Sequence, residues 1–146
     1  MKTVKEPSKT YKKKLYEGLR AILGQGALPF NALRPGTLSE AGGIYLITDM
    51  KGRNEKPLYV GLSKNLRGRI YTQLTGNASA SRVKVRMVES HMAKDLEEAR
   101  KILLELCGVR WIKKSHPKQR MALEHYFIAV LSPKLNFGSE EKESET

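Results

Sequence analysis

The chain has 146 residues, 40% of them hydrophobic, with one cysteine and 27 Lys+Arg against 15 Asp+Glu, a formal charge of +12. That length suits one domain, and the longest apolar run, residues 126–131, is too short to cross a bilayer. A lone Cys107 excludes an internal disulfide and a Cys-based zinc site, and the N-terminal charges lead into no apolar segment. The expectation is a soluble, cytoplasmic protein without a membrane partner.

In chain order, residues 1–14 are basic, polar and expected to fray. A helix is predicted over 9–23, because Leu15, Leu19, Ile22 and Leu23 recur at helical spacing and Gly24 and Gly26 stop it. Residues 25–42, punctuated by Gly, Pro and Asn, read as a loop over the core. Residues 43–48 and 57–61 are β-rich runs separated by a polar segment with Gly52 and Asn54, a hairpin with a long tip. A basic helix is expected over 65–74, capped by Ser63 and ended by Gly76. Residues 78–92 fit a strand through alternating Val83, Val85 and Met87, and fit a helix equally. A helix over 94–107 places Leu96, Ala99, Leu103 and Leu106 on one face. A third strand over 109–113 and a last helix over 117–131, capped by Ser115 and broken by Pro133, complete the pattern.

The charge is unevenly placed. The last eight residues hold four Glu and one Lys, so the tail contributes −3 and residues 1–138 carry +15. From Gly61 to Val88 the chain has Lys64, Arg67, Arg69, Arg82, Lys84 and Arg86 and no acid; from Arg110 to Arg120 it has five more bases and again no acid. Acid-free basic segments suit a polyanion, and nucleic acid is the commonest. His91, His116 and His125 lack metal-ligand spacing, and no P-loop, dinucleotide fingerprint or catalytic-serine elbow is present. Trp111 reads as core, or as a stacking platform if the edge is open.

Two short motifs flank the hairpin tip, Gly43-Ile44-Tyr45 and Tyr59-Val60-Gly61, and could bring both tyrosines to one face of a sheet. On the last helix the neighbours of Glu124 at three and four positions are Arg120, Met121, Phe127 and Ile128. Three are apolar, so the carboxylate faces a cleft and needs either an ion pair with an arginine such as Arg120 or a divalent cation. The order Gly-Ile-Tyr, Tyr-Val-Gly, Arg69 ten residues beyond the second tyrosine, Glu124, and Asn136 twelve beyond that resembles the GIY-YIG nuclease superfamily over residues 42–137. The segment 59–69 looks like the matching stretch in the excinuclease branch of that superfamily.

The resemblance implies an α+β module with a small three-stranded, mainly antiparallel sheet flanked by helices. Residues 1–41 would form a basic arm, helix and loop on the core, residues 42–138 the nuclease domain, and residues 139–146 a disordered acidic tail. It implies a DNA endonuclease, of the repair or restriction kind, using one Mg²⁺ (or Mn²⁺). Glu124 would hold the metal, Arg69 would contact the scissile phosphate, Tyr45 or Tyr59 would act on the attacking water with Tyr45 the first choice, and Asn136 would orient its neighbours. Lys64, Arg67, Arg82, Lys84 and Arg86 would grip flanking phosphates. The chain departs from the excinuclease branch at Leu62, where that branch carries a lysine, and from many members of the family at Gln73, where they place a histidine or tyrosine; His91 or Tyr71 would be the stand-ins. A binding module without turnover, and a nuclease on branched DNA or RNA, are the alternative readings. Duplex or branched substrate, a homodimer and a targeting partner all stay open.

Overall fold

The computed structural model describes residues 2–76 and 81–137. A four-stranded sheet organises them, in spatial order β1-β4-β2-β3, with every pairing antiparallel. Its strands are β1 (Leu28–Pro29), β2 (Gly43–Asp49), β3 (Lys56–Ser63) and β4 (Cys107–Lys113). The expected three strands are therefore joined by a two-residue fourth, inside the segment expected as loop. Proline cannot donate to a ladder, so β1 sits where such a residue is tolerated, at the edge.

Helices cover both faces: α1 (Lys9–Leu23), α2 (Arg82–Glu89), α3 (Leu96–Leu106) and α4 (Pro117–Leu131). Strand periodicity sorts β2 between two cores. Ile44 and Leu46 join Val60, Leu19, Ile22, Leu123 and Phe127 under α1 and α4. Tyr45 and Ile47 join Tyr59, Ile70, Leu74, Met87, Ala99 and Leu103 under α2 and α3. A strand buried on both faces reads as a continuous apolar run, as Ile44–Ile47 does here, and each such side chain contributes about 1.5–3 kcal/mol.

Helices α1 and α4 have the predicted ranges, but the Ser115 cap does not form: His116 is the N-cap residue, without a side-chain bond, and Pro117 opens the helix. Residues 82–89 resolve as helix because the alternating Val83 and Met87 also lie four apart on one buried face. The helix expected over 94–107 starts at Leu96, capped by Asp95 onto the Glu98 amide at 2.8 Å, and gives Cys107 to β4. The largest local departure is the basic segment: Arg67–Thr75 winds as a π-helix ending at Gly76. Ser63 turns back on Asn65, whose side-chain oxygen receives the Gly68 amide at 2.9 Å in the capping role expected of the serine. Such wide turns are rare and occur disproportionately at functional sites.

Side-chain amides finish the sheet where strands run out. Asn136 lies in a short 3-10 turn after α4; its Oδ1 accepts from the Val60 amide at 2.8 Å and its Nδ2 donates to the Val60 carbonyl at 2.9 Å. It thus occupies the open edge of β3 as a neighbouring strand would. Gln25 does the same for Trp111 on β4, at 2.6 and 3.3 Å. The hairpin tip is tied down by Glu55, which accepts from Thr48 at 2.7 Å and from Arg110 at 2.5 and 2.9 Å. No helix of the described residues is long and apolar enough to cross a membrane. The acidic tail lies outside the described residues.

Candidate active site

Register places the two tyrosines. Tyr45 stands opposite Gly61, and Tyr59 opposite Ile47, so the rings lie diagonally on one face with centroids 6.3 Å apart. The glycines of the two motifs have physical reasons. A Cβ on Gly61 would fall within 3.0 Å of the Tyr45 ring and hydroxyl, so only glycine lets that ring cross β3. A Cβ on Gly43 would strike the Ile112 carbonyl of β4.

A cavity of about 560 Å³ opens beside β3, lined by Tyr59, Leu62, Arg69, Gln73, Ser81, Arg82, Met121 and Glu124. Four elements meet there: β3, the π-helix, the start of α2 and the middle of α4. The wide π turn puts Arg69 and Gln73 on the same wall. Met121 and Glu124, three apart on α4, form the opposite wall. The sequence reading missed Ser81, which carried no local signal, and named Met121 only as a neighbour of Glu124.

Glu124 is half-buried, and its carboxyl is pushed above the ordinary carboxylate range, chiefly by burial, with His125 and Arg82 opposing. The alternative ion pair with Arg120 does not form. The buried Arg120 donates to the Lys114 and Ser115 carbonyls, both at 3.0 Å, and the one basic side chain within 4.0 Å of Glu124 among the described residues is the exposed imidazole of His125, at 3.8 Å. A desolvated carboxylate with so weak a partner suits a hard divalent cation. No cluster of three metal-ligating side chains exists among the described residues, so Glu124 would be its single protein carboxylate, and water or phosphate oxygens would complete the shell.

The Arg69 guanidinium lies near enough to the Tyr45 hydroxyl to oppose its upward shift, while the Arg69 Nε is buried without a partner among the described residues. Tyr45 is 1% exposed and does not line the cavity, and its hydroxyl is pushed far up, first by burial and then by Tyr59. Tyr59 does line it; burial raises its hydroxyl most, Glu124 raises it too, and Arg82, Arg69 and Arg86 oppose.

The expected phosphate-gripping residues separate. Arg82 is exposed on the cavity wall and Lys64 is exposed beside β3. Arg86 is partly buried, its Nη1 without a partner among the described residues. Arg67 is committed to the Leu38 carbonyl at 3.0 Å and Glu40 at 2.8 Å. Lys84 is a correction: it is 0% exposed and its Nζ donates to the Gln73 carbonyl at 2.8 Å, so it cannot meet DNA. The hydrophobic face of α2 carries it inward, between Val83 and Met87. Neither stand-in for Gln73 reaches the cavity. Tyr71 packs against the core, and exposed His91 occupies a left-handed turn after α2, at φ 64°.

No family model and no curated protein matches the chain. Solved structures of the GIY-YIG N-terminal endonuclease domain of UvrC from Thermotoga maritima are similar to it. The domain bound to magnesium as its catalytic divalent cation aligns over 90% of this chain and 100% of that one, at 18% identity and a TM-score of 0.44. Two tyrosine-to-phenylalanine mutants of that domain with the cation align over 90% and 99%, at 18% and 17% identity and TM-scores of 0.44 and 0.43.

Proposed function

We propose that the protein is a metal-dependent endonuclease of the GIY-YIG type, hydrolysing a DNA phosphodiester at the cavity beside β3. The observation carrying this reading is the meeting of Tyr59, Arg69 and Glu124 around one 560 Å³ cavity, from three elements spread over 66 residues of sequence. A divalent cation bound there would polarise the scissile phosphate and ease departure of the leaving oxygen.

Each side chain has a task that its surroundings support. Glu124, whose charge burial disfavours, presents its oxygens as the metal ligand. Arg69, on the cavity wall, presents its fork of donors to the phosphate and offsets charge that builds in the transition state. Tyr59 takes the water-orienting role, because its ring lines the cavity; Tyr45, buried beside it, becomes the residue whose ring positions Tyr59. Asn136 holds the free edge of β3, and with it Tyr59, in place. Arg82, Arg86 and Lys64 attract the flanking backbone.

The test is nicking of supercoiled plasmid by the full chain with Mg²⁺ or Mn²⁺ and with chelator. Metal-dependent nicking lost in Glu124→Ala and Arg69→Ala is the expected result, with Tyr59→Phe more damaging than Tyr45→Phe. Tight DNA binding with no nicking of plasmid, flapped, junction or single-stranded DNA overturns it in favour of a binding module, the reading that Gln73 on the cavity wall would then explain.

A further inference from the structure

The second acid-free basic segment, 110–120, takes no part in the cavity, and the fold shows what became of its charges. Arg110 is spent on Glu55 and Arg120 on two carbonyls. Lys113 and Lys114 have no acid within ion-pair distance among the described residues. They stand on the rim of a separate groove of about 550 Å³ between α1, α4 and the end of β4.

Tyr11 and Lys14 of α1 form the facing rim, and Leu15 and Leu123 lie in the floor. Its lining includes three small residues, Gly18 and Ala21 on α1 and Ala122 on α4. Gly18 lets the helices approach closely, since a Cβ there would fall within 3.0 Å of Leu123. The single acid on the rim, Glu17, lies 4.0 Å from Lys13 one turn away. Tyr11 is 46% exposed on α1, whose outward residues also include Lys9, Lys12, Lys13, Lys14 and a second exposed aromatic, Tyr16, that does not line the groove.

We infer that this groove binds a single-stranded nucleic-acid segment, with a base stacked on Tyr11 over the apolar floor and backbone phosphates on Lys14, Lys113 and Lys114. Charge complementarity carries the choice of occupant: three ammonium groups, none with an acid partner among the described residues, surround an apolar, aromatic-edged floor and match a polymer of phosphates joined to flat apolar faces. A duplex would offer the phosphates but keep its bases stacked inside, leaving the floor unused. Placement ties the groove to the cavity. Met121 and Glu124 line the cavity while Gln119, Ala122 and Leu123 line the groove, so the two lie on opposite sides of α4, roughly 10–12 Å apart. Exposed Lys118 at the N-terminal end of the helix stands between them. The inference takes the identity of the polymer from the proposed nuclease reading, but it requires no turnover.

The experiment is fluorescence anisotropy of labelled oligo(dT) with full-length protein carrying Glu124→Ala, in chelator, across a salt series. Lys113→Gln/Lys114→Gln should weaken binding at least tenfold and flatten the slope of log K against log salt by about 1.4, two phosphates at about 0.7 each. Tyr11→Ala should cost roughly tenfold and Tyr11→Phe almost nothing. Lys113→Arg/Lys114→Arg should restore binding, which separates the charge effect from a folding defect. Unchanged oligo(dT) affinity and slope in the glutamine pair would overturn the inference. So would an equal loss on blunt duplex, which would make the lysines a general backbone contact, or a loss seen only on phosphatidylserine vesicles. A chain that never nicks DNA yet shows the Tyr11 and lysine effects would defeat the nuclease reading and leave the groove standing.

Discussion

Replacing Gly61 by alanine tests the packing that assembles the site, because two effects oppose and the structure says which wins. In a strand, Gly→Ala normally stabilises by about 0.5–1 kcal/mol, through the backbone entropy that glycine loses on folding. Here the new methyl would overlap the Tyr45 ring, which is 1% exposed and closed in by the core. Overpacking of that kind costs about 1–3 kcal/mol. The net expectation is destabilisation by about 1–2 kcal/mol, a fall in midpoint of roughly 3–6 °C for a chain of this size. Urea unfolding followed by Trp111 fluorescence would read it as a lower midpoint at unchanged slope. In a Tyr45→Ala background the same substitution should become neutral or stabilising, since the clash is gone. A Gly61→Ala protein as stable as the parent or more so would refute the reasoning, and Gly61 would then be an ordinary strand glycine.

Other tests reach different parts of the molecule. Asn136→Ala should cost about 1–3 kcal/mol and speed hydrogen exchange at the Val60 amide, because that substitution strips both edge bonds from β3; unchanged exchange would mean that the edge is held otherwise. The Arg110 hydrogen bonds hold the Glu55 carboxyl below the ordinary range, against an opposing push from burial. A depressed carboxyl contributes stability above its unfolded pKa, about 4.3, and loses it as pH falls through the folded value. Glu55→Gln should therefore cost about 1 kcal/mol at pH 7, discounted for a side chain 34% exposed, and nothing at strongly acid pH; a deficit that persists in acid would contradict the ion pair. Finally, Arg82→Ala should flatten the salt dependence of DNA binding by about one unit, whereas Lys84→Met should leave the slope unchanged. Equal slopes for those two variants would place the DNA path somewhere other than along the cavity.

Much of this protein was legible in local sequence. Helices α1 and α4 have the ranges that their apolar spacing and flanking Gly and Pro indicated, and the paired motifs gave a hairpin with both tyrosines on one face. These features depend on periodicity and turn chemistry, which a single segment carries by itself. Local pattern was silent or misleading where a residue's partner is distant. Two alternating valines could not choose between strand and helix until a core existed for α2 to cover. Lys84 looked like one more phosphate contact in an acid-free run, yet the burial of its helix face turned it onto the Gln73 carbonyl. Tyr45 was the first choice for the attacking water; the register puts both rings on one face of the sheet, but only Tyr59 lines the cavity. Arg120 was the nearest cation to Glu124 in sequence, and only the turn before α4 showed it bound to two carbonyls instead. Composition and motif order thus determined a basic α+β domain and the residue types of its site. The tertiary structure decided which of those residues face solvent together, because burial and register depend on contacts between elements far apart in the chain.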